Sequence, residues 1–412
     1  MKNFSTSKRL LAPVAPALVA MASLFSVSCD RLETPASFSE PSGASSSEVL
    51  NSGSLSSENV ARMLSELPLS IEQVREVHDA VVSSSDNGYD EEYPFSILFS
   101  SPGSGVGDEL LRTKASCDYA TPLSSLISES LAGALATRST CDVTVLSESG
   151  LQIYWPYSED WDGETMPVVT FDPDAASAVG RSVRTGDSNV GFMREVLPNG
   201  SSIVKEVIVD EEYARSHPVW VVNRNEDAGC MTPQMLERLY PERAVQTSTP
   251  ARSVNDCRTL VLKEFKAHRN YDPWFAGGSE FFVKCGALNG FTAQTEEEIK
   301  LYSPSVTDLM INVKRKQVGK AVRFNTVIVS EWTPQLEECA FLIIEDDGGK
   351  QTSWKANGLV KIKSRSYGFE VEIPFRRNDD LVWRGKLSSK YFEKYNGKPN
   401  RFGDVSVTFS FL

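Results

Sequence analysis

Two stretches near the end of this 412-residue chain alternate, residue by residue, between apolar and polar side chains. Phe369, Val371, Ile373 and Phe375 form one series, and Val405, Val407, Phe409 and Phe411 the other, with Glu or Ser among the residues between. A period of two sends all the apolar side chains to one face of a strand, so each series defines a β-strand with one buried side. Six further short runs precede or separate them: Thr259–Glu264, Glu280–Cys285, Leu309–Lys314, Val322–Val329, Ala340–Glu345 and Leu359–Lys363. Eight short strands at close spacing, with turn residues between, predict an antiparallel sandwich over residues 258–412 rather than a βαβ fold.

The pattern upstream is different. Residues 57–141 read as a short-helix region. Ser70 followed by Gln73 has the spacing of a capping box, and Ile71, Val74, Val77 and Val81 then repeat at three and four residues. Val60, Met63 and Leu64 share a face that ends at Leu67-Pro68, and a third helix is expected over 122–136. Residues 142–223 return to period two and predict a small β-domain with strands at Asp142–Leu146, Leu151–Trp155, Val168–Phe171, Ile203–Val209 and Val219–Val222. Residues 224–257 form a polar linker with one short helix, Thr232–Leu239, opened by Thr-Pro. The expected fold class is mainly β with a small helical N-terminal region and a C-terminal antiparallel β-sandwich.

The beginning of the chain carries an address. Lys2, Lys8 and Arg9 precede an uncharged stretch from Leu10 to Ser28 that ends in Ser26-Val27-Ser28-Cys29. Cations, an apolar run and small residues before the cut make residues 1–28 a signal peptide, and Pro13 and Pro16 argue against a spanning helix. The ending resembles the lipobox of bacterial lipoproteins, in the loose Ser-Cys-Asp form found in Bacteroidota, although Ser26 stands where that pattern favours Leu. The resemblance implies acylation at Cys29, attachment to the membrane through the N-terminal lipid, and a place in the cell envelope at the outer membrane, periplasmic or surface-exposed. Residues 29–56 then serve as a tether: Thr34 to Asn59 is dominated by Ser, with few large apolar residues to offset its ordering entropy. About 25 residues of such coil span roughly 25–30 Å.

Charge and cysteine content narrow the function classes. Lys+Arg 42 against Asp+Glu 55 gives a net charge of −13, and cleavage of the leader removes three cations and no acids, leaving −16. A surface this acidic excludes bare nucleic acid as a general partner, and three His do not build a histidine metal cluster. With Cys29 taken by lipid, Cys117, Cys141, Cys230, Cys257, Cys285 and Cys339 remain. Six allow 15 pairings, of which a Cys117–Cys141 bridge would contribute about 3 kcal/mol; buried free thiols are the alternative. No CxxC, HExxH or G-x-S-x-G occurs, and the glycine-rich 101–107 stretch lacks the Lys-Ser/Thr ending of a P-loop.

Two clusters carry the candidate chemistry. Glu345, Asp346 and Asp347 leave one strand into Gly348-Gly349, while Asp379 and Asp380 follow another. Two acidic loops at strand ends offer the oxygens that Ca²⁺ requires, and the same residues are those that tight turns use. The pattern loosely resembles C2-type sandwiches, a resemblance that implies Ca²⁺ held between loops at one end. The second cluster is Trp155, Tyr157, Glu159, Asp160, Trp161 and Asp162. Rings beside carboxylates hold sugars or peptides, and paired acids hydrolyse glycosides. Asp272-Pro-Trp274-Phe-Ala-Gly-Gly-Ser-Glu280 is similar in kind, with a packed Trp in a structural turn as its plainer reading. Together these predict a binding or structural module of the envelope, with glycan, peptide or an envelope protein as partner. A surface hydrolase using Glu159, Asp160 and Asp162 is the alternative.

Overall fold

The computed structural model describes residues 55–100, 119–135, 142–173, 188–226, 229–239, 241 and 257–412. The leader, Cys29, most of the Ser-rich tract, the 101–107 stretch, Cys117 and Cys141 lie outside the described residues. Ser52–Leu412 forms one compact unit.

The N-terminal half is a mixed sheet with helices on it. Its helices are α1 (Ser57–Glu66), α2 (Ile71–Asp86), α3 (Phe95–Leu98), α4 (Leu123–Leu135), α5 (Val143–Ser147) and α6 (Glu211–Ala214). Its strands are β1 (Glu92–Pro94), β2 (Leu151–Tyr154), β3 (Val168–Phe171), β4 (Ser188–Val196), β5 (Ser202–Asp210) and β6 (Val219–Arg224). They lie in the order β1-β2-β6-β3-β4-β5, antiparallel except for the parallel pair β3 and β6. Ser70 caps α2 as its spacing predicts: Gln73 Oε1 accepts from the Ser70 N–H at 2.9 Å and Ser70 Oγ from Glu72 N–H at 3.2 Å. Val60 and Leu64 of α1 and Val74, Val77 and Val81 of α2 enter one core with Phe192, Trp220 and Val222 of the sheet. Because β1 belongs to that sheet, the helical segment and the strands after it share a single core.

One expected strand is absent. Residues 142–146 fall largely in α5, with Leu146 buried, Val143 half-buried and Val145 exposed. Val143 and Leu146 are three apart, so one helical turn also turns both towards the core, and among the described residues no partner strand is there to favour the extended form.

The C-terminal part is a sandwich, as the alternation predicts. One sheet runs β10 (Val322–Trp332), β7 (Arg258–Ala267), β16 (Val405–Phe411), β15 (Pro399–Phe402). The other runs β13 (Arg365–Arg376), β12 (Gln351–Ile362), β11 (Leu336–Glu345), β8 (Ser279–Ala287), β9 (Ser305–Val313), with β14 (Asp380–Ser388) also paired to β11. Every pairing in both sheets is antiparallel. Leu260, Leu262, Phe265, Phe281, Val283, Phe341, Ile343, Val407 and Phe409 fill the space between them. The helix α7 (Pro233–Leu239) sends Leu236 against this core, and α8 (Ser389–Lys394) adds Phe392.

The β12–β13 hairpin adds a third layer. Val371, Ile373 and Ala356 pack on Ala340, Leu342 and Ile344, the face of β11 turned away from the sandwich core. The approach is close: a Cβ on Gly286 of β8 would meet Val371 Cγ1 at 2.7 Å, so only glycine fits there.

The two halves are stitched by a loop and a basic turn. Between β7 and β8, Trp274 and Phe275 insert into a cluster with Tyr154, Tyr157, Val168, Val219 and Val221 of the N-terminal sheet. Asn223 Nδ2 donates to Ala276 O at 2.7 Å, and the buried Asp90 carboxylate accepts from Gly278 N–H at 2.7 Å. Lys314, Arg315 and Lys316, a basic run just after β9, all reach across. Lys314 bonds Ser85, and Lys316 pairs with Glu159 and Asp160. Arg315 grips Glu211 with Nε at 2.9 Å and Nη2 at 3.3 Å, and donates from Nη1 to the carbonyl of Asp272 at 3.1 Å.

Two outcomes are expected. Arg315 is 14% exposed, so Arg315→Ala leaves Glu211 and two loop carbonyls short of a donor and should lower stability by about 2–3 kcal/mol, read as a reduced urea midpoint. Cys230, Cys257, Cys285 and Cys339 are all free, which removes them from any disulfide framework; thiol titration of the denatured, unreduced chain should find at least these four.

Candidate functional site

The sandwich brings carboxylates together at the ends of β8 and β11. In the β8–β11 ladder Glu345 stands opposite Phe281, on the core-facing side with Ile343, and Asp346 N–H donates to Glu280 O at 3.0 Å. Asp272, in the loop before β8, completes a group: one carboxylate oxygen from each of Asp272, Glu280 and Glu345 lies within 4.8 Å of the other two. Glu280 is held by Asn312 of β9, whose Nδ2 donates to Glu280 Oε1 at 3.1 Å.

Glu345 is fully buried, and apart from Asp272 neither of its carboxylate oxygens has a hydrogen-bond partner; Asp272 Oδ2 is likewise buried with no partner but Glu345. Burial, and then the neighbouring Asp272 carboxylate, push Glu345 up to about 12. Burial also raises Asp272, to about 6. The pair therefore holds a proton, carried on Glu345 and shared with Asp272.

The acids expected from the two loops divide around this group. Glu345 is its buried member. Asp346 is engaged by Arg376, whose Nη1 lies 3.0 Å from Asp346 Oδ2, and it also accepts from Gly348 N–H at 2.9 Å to form the turn out of β11. Gly348 and Gly349 in that turn have φ of 70° and 94°, the left-handed region that favours glycine. Asp379 accepts from Arg376 N–H at 2.6 Å with Oδ2, while its buried Oδ1 has no donor. Asp347 is exposed, and Asp380 is the exposed first residue of β14, opposite Glu345. Desolvation and the surrounding carboxylates push Asp347 up to about 7, and desolvation raises Asp379 to about 6.

The aromatic cluster is not a surface platform. Trp155 is a core side chain, ringed by His78 at 5.6 Å, Trp161 at 5.4 Å and Trp220 at 6.0 Å between centroids. Tyr157 is buried in left-handed backbone with φ of 61°, and its hydroxyl donates to Glu211. Trp161 Nε1 donates to Thr165 O at 2.9 Å. Glu159 and Asp160 pair with the one Lys316 ammonium. Against the cost of burial, a hydrogen bond from the Glu91 carboxyl and the Lys316 ammonium hold Glu159 at about 2; burial raises Glu91 to about 8. Asp162 accepts from the Thr165 hydroxyl and from the N–H groups of Thr165 at 2.8 Å and Glu164 at 2.9 Å, an Asx turn that lowers it to about 2. The rings are thus packing, Glu159 and Asp160 meet on the Lys316 ammonium, and Asp162 is held by its own turn.

Asp272 and Glu280 are the residues that sequence reading left out of the acidic group. The Asp272–Glu280 segment stands out on composition, yet nothing local says that its two ends meet Glu345, because that depends on the register of β8 against β11. No protein-family model matches this chain, and no match was found among curated proteins.

The raised acids set a direction for pH. Asp272, Asp379, Asp347 and Glu345 are protonated in the fold above the pH, near 4, at which they ionise in the unfolded chain. Their stabilising effect is full below that pH; it is lost as pH rises through about 6 to 7 for the three Asp, and goes on being lost towards about 12 for Glu345. In excess chelator the thermal midpoint should therefore fall by about 5 °C or more between pH 5 and pH 8, with Glu345→Gln reducing the fall.

Proposed function

We propose that this protein is an exported envelope lipoprotein, acylated at Cys29 and tethered by its Ser-rich segment, whose β-rich body works by binding rather than by turnover. The observation that carries the reading is the order of features at the start of the chain: cations, an uncharged apolar run, Ser-Cys-Asp, then a polar tract with little to bury. The body's arrangement favours binding. Hydrolysis of a glycoside needs one raised and one ionised carboxyl facing a shared bond, whereas Glu159 and Asp160 are both drawn onto Lys316 and Asp162 closes its own turn. Among the described residues, no helix is long and apolar enough to cross a membrane. Its partner classes are glycan, peptide or another envelope protein.

Metabolic labelling with an alkynyl fatty acid in a bacterial host that processes lipoproteins tests the anchor. Wild type should be marked and Cys29→Ala should not, with the variant moving to the soluble envelope fraction. Equal labelling of the two ends the reading.

A further inference from the structure

The carboxylates of Asp272, Glu280 and Glu345 reach one point from three places in the chain: the β7–β8 loop, the second residue of β8 and the last residue of β11. Oxygens bound to Ca²⁺ lie about 2.3–2.6 Å from the ion, so two of its ligands stand at most roughly 5 Å apart. The three oxygens, all within 4.8 Å of one another, already meet that limit.

A second observation is independent of this proximity. Glu345 has no solvent exposure, and beyond the proton it shares with Asp272 neither its carboxylate oxygens nor the buried Oδ2 of Asp272 has a hydrogen-bond partner. Burying a carboxylate without a donor is among the costlier things a fold can do. The nearby cations are committed elsewhere: Arg376 to Asp346, and Arg315 to Glu211 and to loop carbonyls. Among the described residues, no Lys or Arg pairs with Glu345. What remains to neutralise it is a proton or an ion from solution.

We propose that Asp272, Glu280 and Glu345 form a binding site for a hard divalent cation, best matched to Ca²⁺. The donor set is all oxygen and all carboxylate, which favours Ca²⁺ over the softer metals that prefer His or Cys. Asn312 orients Glu280 through its amide, so one ligand is aimed before any ion arrives. Backbone on both sides of the site is fixed by the β8–β11 ladder, and the half-buried Asp272 marks the side from which an ion enters. The site goes beyond the envelope reading and does not depend on acylation at Cys29.

The test is isothermal titration and thermal melting of the full chain, stripped with EDTA and dialysed, against CaCl₂ and MgCl₂. Saturable binding of one Ca²⁺ per chain is expected, with a dissociation constant in the range of about 10⁻⁵–10⁻³ M and a midpoint raised by about 3 °C or more at saturation. Asp272→Asn and Glu345→Gln should each weaken binding at least tenfold, whereas Asp380→Asn, an exposed acid outside the triad, should retain it. If the triad variants do not fold, the wild type still decides the matter. Tb³⁺ bound at this site should emit through excitation of the nearby Tyr271 and Trp274, and Ca²⁺ should displace it at one equivalent. No heat and no melting shift up to about 10 mM of either cation overturns the site. So does an equal response in wild type and both triad variants, or Tb³⁺ emission that Ca²⁺ leaves unchanged.

Discussion

The contact on which the rest of the molecule depends is the grip of Arg315 across the two halves. One guanidinium satisfies the Glu211 carboxylate at the start of α6 in the N-terminal half and the carbonyls of Asp272 and Gly277 in the β7–β8 loop. The Asp90 carboxylate completes the arrangement from the other side by accepting the Gly278 N–H. The planar, always-charged fork suits this work because it offers several donors in fixed directions, where a lysine would offer a single flexible ammonium. Trp274 and Phe275 then pack under the N-terminal sheet, and the loop that carries them also delivers Asp272 to Glu280 and Glu345. Interface and acidic site are therefore two uses of one loop.

Glu345 illustrates a cost placed where it has a use. The residues around it on β11 are Ile343, Ile344 and Leu342, all buried, and an aliphatic side chain at 345 would fit the strand's own pattern. A carboxyl there lowers the stability of the ionised, cation-free protein. It also places a high-energy anion where one cation or one proton relieves it, which makes occupancy and pH act on the same few atoms.

Much of the C-terminal architecture was legible because a strand with one buried face writes its period directly into the sequence. Phe369 to Phe375 and Val405 to Phe411 are such strands. β14 escaped because its residues are mostly exposed or half-buried, and β15 because it is only four residues long. The 142–146 run misled because Val143 and Leu146 satisfy a helical turn as well as a strand, and only tertiary packing separates the two. For the site, Glu345 was visible beside the Gly turn, but Asp272 and Glu280 lie more than sixty residues away and join it through strand register, which no local pattern encodes. Trp155 was misread for a related reason: an aromatic residue next to acids looks alike whether it faces solvent or a core.

β11 is enclosed by the fold on every side. β8 lies along one edge, β12 and β14 share the other, and its two faces look into separate apolar clusters, the second made possible by the bare backbone of Gly286. Water can reach its amides only when several layers separate at once. The peptide groups from Ala340 to Ile344 should be among the last in the chain to exchange with deuterium, and their exchange rate then measures the opening of the whole sandwich rather than any local fraying.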